Sequence, residues 1–232
     1  MIQKFCLTFV MLLCGASIGL AQIPSYQDYA SDLEAHKGSA SDSSVRLLIV
    51  GDSAVVQRGA DFPIAVVLDI VPNWHIWTPE NVEDSIEGID SFPGATHTEI
   101  TELQSSTEAV EFNRGFIQWP EHHTYDADFG EGKKVFASFE GRTIAWLPAT
   151  IKSDAPLGQT SITVEILVQS CDNKNCKPPA KVAASFNFEV VDSGTDSAKA
   201  DTGDLFAAFP TKLYTDNLDS LFESLEGIDV LF

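Results

Sequence analysis

Two cysteines with four residues between them, followed by a double proline, stand in the stretch VQSCDNKNCKPP, residues 168–179. Three chemistries suit Cys171 and Cys176: a structural disulfide, half of a zinc site, or a thiol pair that exchanges electrons with another protein. A staple across so short a turn contributes about 2 kcal/mol by chain entropy. A zinc site needs four ligands; His122 and His123 could supply two, but nothing in the sequence ties them to the cysteines. Exchange needs a thiolate, which nearby positive charge favours. Lys174, Lys177 and Lys181 outnumber Asp172 around the pair, in a chain with only 14 Lys and Arg. Pro178 and Pro179 cannot donate to a sheet ladder, so the chain must leave the sheet after Cys176 as a stiff loop.

The compartment bears on the choice. The N-terminus reads MIQKFCLTFVMLLCGASIGLAQ: Lys4, an apolar run from Phe5 to Leu20, then small residues Gly19 and Ala21. This is the pattern of a secretory signal peptide, with cleavage expected after Ala21. The run is short for a membrane span. Cleavage removes Cys6 and Cys14 and leaves Cys171 and Cys176 as the only cysteines of the mature chain, and an even number in an exported protein suggests that they pair with each other.

The elements that must position them are strands. VRLLIV (Val45–Val50), PIAVVLDI (Pro63–Ile70), THTEITEL (Thr96–Leu103), GFIQW (Gly115–Trp119), KKVFASFE (Lys133–Glu140), RTIAWLPATI (Arg142–Ile151), SITVEILVQS (Ser161–Ser170) and KVAASFNFEV (Lys181–Val190) are rich in β-branched and aromatic residues. Gly, Pro, Asn and Asp punctuate them. Ile162, Val164, Ile166 and Val168 share one face of their strand, as do Val182, Ala184, Phe186, Phe188 and Val190; period two with one apolar side buries one face and wets the other. Continued past Val168, the alternation puts Cys171 with Gln169 on the wet face. The expected fold is all-β, an immunoglobulin-like β-sandwich with a short C-terminal helical tail.

The division expected is a signal peptide (1–21), a polar lead-in (22–44) with a short helix near Tyr26–His36, the sandwich (45–191), a polar linker (192–204) and an amphipathic C-terminal segment (205–232). In that last segment Leu218, Leu221, Phe222 and Leu225 follow helical spacing. Its apolar end is expected to meet a partner, or to be the cut edge of a longer chain, in preference to docking on the sandwich. A net charge of −20 argues against a nucleic-acid ligand. Trp74, Trp77, Trp119 and Trp146 read as core, His75 as a packed, hydrogen-bonded histidine, and His122-His123 as loop. No nucleophile elbow, phosphate loop or zinc-protease motif occurs, and neither a cofactor nor a metal is expected.

Four elements together resemble one family. They are the VQSCDNKNCKPP block, VPNWHIW (Val71–Trp77), GFIQWP (Gly115–Pro120) and DADFG (Asp126–Gly130). In this order, across Val45 to Val191, they are similar to the N-terminal periplasmic domain of the thiol:disulfide interchange protein DsbD and its stand-alone relatives. The resemblance implies an immunoglobulin-like fold, a periplasmic location and a redox-active cysteine pair that works as a protein-disulfide reductase. Cys176 would be the attacking thiol and Cys171 would resolve the mixed disulfide. A cap loop would shield the sulfurs, with Phe129 as the cap and Asp126 and Asp128 as nearby carboxylates. The implied partners are a thioredoxin-like electron donor domain, oxidised periplasmic proteins and a membrane electron transporter. Full-length relatives continue into a transmembrane electron-transport domain and a thioredoxin-like domain; here a linker and a short amphipathic segment follow, as for a stand-alone domain or an incomplete chain. The alternative from another class is a non-catalytic secreted binding module whose single disulfide is structural.

Overall fold

The computed structural model describes residues 44–128, 132–199, 205–211 and 213–214. The strands are β1 (Val45–Gly51), β2 (Ser53–Gln57), β3 (Ile64–Ile70), β4 (His75–Trp77), β5 (Glu99–Ser105), β6 (Val110–Phe112), β7 (His123–Asp128), β8 (Lys133–Glu140), β9 (Arg142–Leu147), β10 (Ala149–Ile151), β11 (Gly158–Val168), β12 (Ser170–Cys171), β13 (Ala180–Val191) and β14 (Ala198–Lys199). One four-residue helix, α1 (Glu80–Glu83), follows β4. The sheets run β14-β2-β13-β11-β5, β1-β3-β9, β12-β4-β8-β7 and β10-β6. All pairings are antiparallel except β13 with β2. The protein is an all-β sandwich, as the strand pattern predicts.

Alternation builds the core. Val45, Leu47 and Ile49 of β1, with Ile64, Val66, Leu68 and Ile70 of β3, are buried in one cluster with Ile162, Val164, Ile166 and Val168 of β11 and Val182, Phe188 and Val190 of β13. Every residue of β3 is buried, because its second face is also covered: Ala65 and Val67 pack with Trp146 against Phe209 and Leu213. That second cover comes from the C-terminal segment. Phe206 and Phe209 lie against the Trp146 ring, and the Tyr214 hydroxyl donates to the Ala149 carbonyl at 3.0 Å. The described part of the segment thus docks on the sandwich; the apolar end on which the expectation rested, 230–232, lies outside the described residues. The second face of β3 is apolar at Ala65 and Val67 beside Trp146, and such a face needs cover. Leu218–Leu225, the N-terminal run and the lead-in helix lie outside the described residues. Among the described residues no helix is long and apolar enough to cross a membrane.

Two expected strands differ, each at a proline. RTIAWLPATI splits at Pro148 into β9, which pairs with β3, and β10, which pairs with β6; without an N–H, Pro148 marks where the strand changes sheets. GFIQW is not a strand. Arg114–Phe116 forms a 3-10 turn, and only Gln118 bridges, exchanging hydrogen bonds of 2.9 and 2.8 Å with Trp146 before Pro120. Ala198 and Lys199, in the stretch read as linker, pair with β2.

Gly51 is fixed by close approach. A Cβ there would stand 2.5 Å from Phe62 Cζ and 2.7 Å from Phe186 Cε1, against rings held in the core. Gly51→Ala is therefore predicted to cost about 1–3 kcal/mol by overpacking, read as a lowered midpoint in chemical denaturation; an unchanged midpoint would contradict this packing.

Candidate functional site

The site begins where β11 stops. Gln169 does not continue the ladder; its Oε1 accepts from the Thr96 backbone N–H at 2.8 Å and its Nε2 donates to the Lys177 carbonyl at 3.2 Å. The next two residues join a different sheet: Ser170 pairs with Ile76, and Cys171 with His75. Changing sheets breaks the parity that would have put Cys171 on the wet face. Cys171 is buried, at 1% exposure.

The turn that follows is closed by its own residues. The Asp172 N–H donates to the Asn175 carbonyl at 2.9 Å, and the Lys177 N–H to the Ser170 carbonyl at 2.8 Å. Asp172 Oδ1 accepts from the backbone N–H groups of Lys174 and Asn175, both at 2.7 Å. Those backbone hydrogen bonds, Asn175 first, hold the Asp172 carboxyl below the usual carboxylate range. Cys171 and Cys176 form a disulfide with their Cα atoms 4.0 Å apart. Cys176 is exposed, whereas Cys171 is packed away.

Strand pairing defines what lies under the disulfide. Directly opposed residues project from the same face of a sheet, with Cβ atoms about 4.5–5.5 Å apart. Cys171, His75 and Glu140 are opposed in one row across β12, β4 and β8; Trp77 is opposed to Ser138, and Phe136 to Tyr125. These make the outer face of the sheet, while Ile76 and Phe139 point into the main core. Cys171, Trp77 and Phe136 form a separate buried cluster, with Phe92, Ala95 and Tyr125 packed against it.

Phe92 comes from the segment after α1 and stacks on Trp77 at 4.7 Å and 25°. The segment is pinned on both sides. The Asp90 N–H donates to the Val135 carbonyl at 2.7 Å, and the Val135 N–H donates to Asp90 Oδ2 at 3.0 Å. Thr98 donates to the Trp77 carbonyl at 2.5 Å. Between segment, sheet and turn lies a cleft of about 390 Å³, lined by His75, Trp77, Phe92, Tyr125, Asp126 and the whole turn from Cys171 to Cys176.

Burial sets the electrostatics of this cleft. It lowers the pKa of His75, while Glu140 and Asp172 partly counter the effect; the imidazole is neutral at pH 7. His75 is 7% exposed, and its Nε2 has no hydrogen-bond partner among the described residues. Burial, with Glu140, pushes the Tyr125 phenol up to about 12.

The expected site residues fall out unevenly. Cys171, Cys176 and Asp126 line one cleft. Asp126 is ion-paired with Lys133 and sits in β7, where a loop was expected; Asp128 lies in the same strand opposite Lys133. Phe129, the expected cap, lies outside the described residues. Of the three lysines, only Lys174 lines the cleft. Lys177 lies over the Trp74 ring at 4.2 Å and donates to Ser44, and Lys181 pairs with Glu165 at 2.6 Å. His123 opens β7 instead of lying in a loop, and neither His122 nor His123 lines the cleft.

His75, Trp77, Tyr125 and Phe92 are additions of the structure. The H-x-W spacing of His75 and Trp77, which puts both on one strand face, is the signal that could have found the first two. Phe92 carries none, since only tertiary packing brings its segment to the sheet.

Fold and site together define a sandwich that carries one exposed and one buried cysteine beside an aromatic cleft. No family model matches the chain, and no curated protein does. Among solved structures the chain is similar to the N-terminal periplasmic domain of ScsB from Proteus mirabilis, with TM-score 0.37 and 11% identity over 78% of this chain. This chain spans about half, 54%, of that one. It is also similar to the seventh ScaB type I cohesin from Pseudobacteroides cellulosolvens, with TM-score 0.33 and 12% identity over 65% of this chain and 94% of that one.

The asymmetry of the two sulfurs gives a direct expectation. After reduction, iodoacetamide should label Cys176 at least about tenfold faster than Cys171, as read by peptide mass mapping, because alkylation follows exposure and thiolate access. Equal rates would contradict the buried position of Cys171.

Proposed function

We propose that this protein is a periplasmic thiol–disulfide exchange module that accepts electrons from a thioredoxin-like donor and reduces disulfides of partner proteins through Cys176 and Cys171. The observation that carries the reading is the unequal burial of the pair: Cys176 is exposed at the mouth of a cleft, and Cys171 lies at 1% exposure on its floor. Exchange proceeds by attack of a thiolate on a disulfide sulfur through a mixed disulfide. An exposed sulfur suits the intermolecular attack, and a buried one suits the intramolecular resolution, since competing thiols cannot reach it.

In the reducing direction, the Cys176 thiolate attacks one sulfur of the partner disulfide and the other partner sulfur leaves as thiolate. The Cys171 thiolate then attacks Cys176 Sγ, the mixed disulfide breaks, and the partner departs as a dithiol. Two electrons have moved to the partner, and Cys171–Cys176 is oxidised. Recharging is the reverse, with a donor dithiol attacking the exposed Cys176 Sγ. The resemblance of the VQSCDNKNCKPP block and its companion motifs to the DsbD N-terminal domain supports the same assignment of roles, the periplasmic location and a membrane electron transporter upstream of the donor.

The competing reading is a binding module with a structural bond. The staple would add about 2 kcal/mol to a turn already closed by two backbone hydrogen bonds and two to Asp172, each worth about 1 kcal/mol. A turn so well closed has little need of it.

Trapping separates the two. Cys171→Ala, mixed with an oxidised thioredoxin-like protein, is predicted to accumulate a mixed disulfide through Cys176 on non-reducing gels, whereas Cys176→Ala accumulates none and the reduced native protein passes directly to its internal disulfide. Absence of adducts from Cys171→Ala would leave the structural bond as the correct reading.

A further inference from the structure

The resolving step raises a difficulty that the cleft itself answers. Burial of Cys171 against Trp77 and Phe136 disfavours a thiolate there, yet resolution needs one. The charge that the sequence places around the pair is mostly committed elsewhere, to Trp74, Ser44 and Glu165.

We propose, resting on the exchange reading above, that His75 is the general base for Cys171, taking its thiol proton so that the buried sulfur can resolve the mixed disulfide. Three observations meet at this residue. His75 is the cross-strand partner of Cys171, so the two side chains rise from one sheet face a few ångströms apart at their Cβ atoms. Both line the same cleft. The imidazole is more than nine-tenths buried, and its Nε2 has no hydrogen-bond partner among the described residues.

A buried polar atom without a partner is costly, about 1–3 kcal/mol. The oxidised pair has no S–H to offer; on reduction, Cys171 gains one in the cleft that His75 also lines. On this proposal the dithiol state supplies a partner to the nitrogen that the disulfide state leaves without one.

The groups facing His75 set its charge. Glu140 opposes it on β8, Asp172, Lys174 and Cys176 come from the turn, and Tyr125 and Asp126 from β7; Trp77 and Phe92 are apolar. Burial outweighs the two carboxylates that pull its pKa upward, so the ring is a free base at neutral pH. The proton balance closes. Cys171 S–H gives its proton to His75 and the thiolate attacks Cys176 Sγ. The Cys171–Cys176 bond forms as the bond from Cys176 to the partner breaks, and the departing partner thiolate takes the proton from the imidazolium or from water.

The test is stopped-flow reaction of the full reduced protein with 5,5′-dithiobis(2-nitrobenzoate), followed by release of nitrothiobenzoate. The first equivalent reports attack by Cys176, and the second reports resolution by Cys171. In the native protein the second phase should stand near its maximum at pH 7 and fall as acid protonates His75. In His75→Gln and His75→Phe it should slow about 10²-fold or more relative to the first phase, the range of general-base effects. In those variants it should still be rising through about pH 8.5, where an unassisted thiol ionises.

A second phase whose rate and pH profile are the same with and without His75 would overturn the role and leave exchange standing. Should both variants fail to fold, the native profile decides: a second phase that rises only near pH 8.5 overturns the role. Absence of the first phase in the native protein would remove the exchange reading and this role together.

Discussion

The transfer of the chain from one sheet to another at Gln169 is the constraint on which the site depends. β11 is a long inner strand of the five-stranded sheet, paired on its two sides by β13 and β5. Had it continued in register, Cys171 would have emerged on the solvent face of that sheet, away from aromatic residues. Gln169 instead ties its amide to Thr96 and Lys177, and Ser170 and Cys171 become the edge of the four-stranded sheet. That one displacement buries Cys171, sets it opposite His75 and leaves Cys176 outside.

The surroundings then act in opposition. The aromatic floor of Trp77, Phe136 and Tyr125, with Phe92 above, excludes water and so shelters the buried sulfur. The same exclusion lowers the basicity of His75 and raises that of the Tyr125 phenolate. Asp172 spends its charge on the turn's own N–H groups, which fixes the loop that carries Cys176. A rigid turn, a buried sulfur and a neutral base in one cleft form a more specific arrangement than a staple requires, since the hydrogen bonds already close the turn.

Much of the architecture was legible because it rests on period two. Ile162 to Val168 and Val182 to Val190 announce a buried face without help from distant residues. β4 and β7 were not legible: HIW is three residues between a turn and a proline, and HTYDAD is a polar strand that, among the described residues, pairs with β8 alone. Prolines misled where they change sheets without ending a strand run, as at Pro148. At the site, the cysteines were visible from their spacing, but the burial of Cys171 was not, because parity carries no information across a sheet switch. The lysines, too, read as neighbours of the sulfurs from sequence alone, whereas Trp74, Ser44 and Glu165 claim two of them in space.

The measurement that bears most directly on the central claim is the equilibrium of the Cys171–Cys176 bond with glutathione redox buffers. An exchange-active pair is predicted to have a reduction potential above about −300 mV, in or near the range of about −270 to −120 mV spanned by thiol–disulfide oxidoreductases. A bond that stays oxidised well below about −300 mV would contradict the account and mark the disulfide as structural.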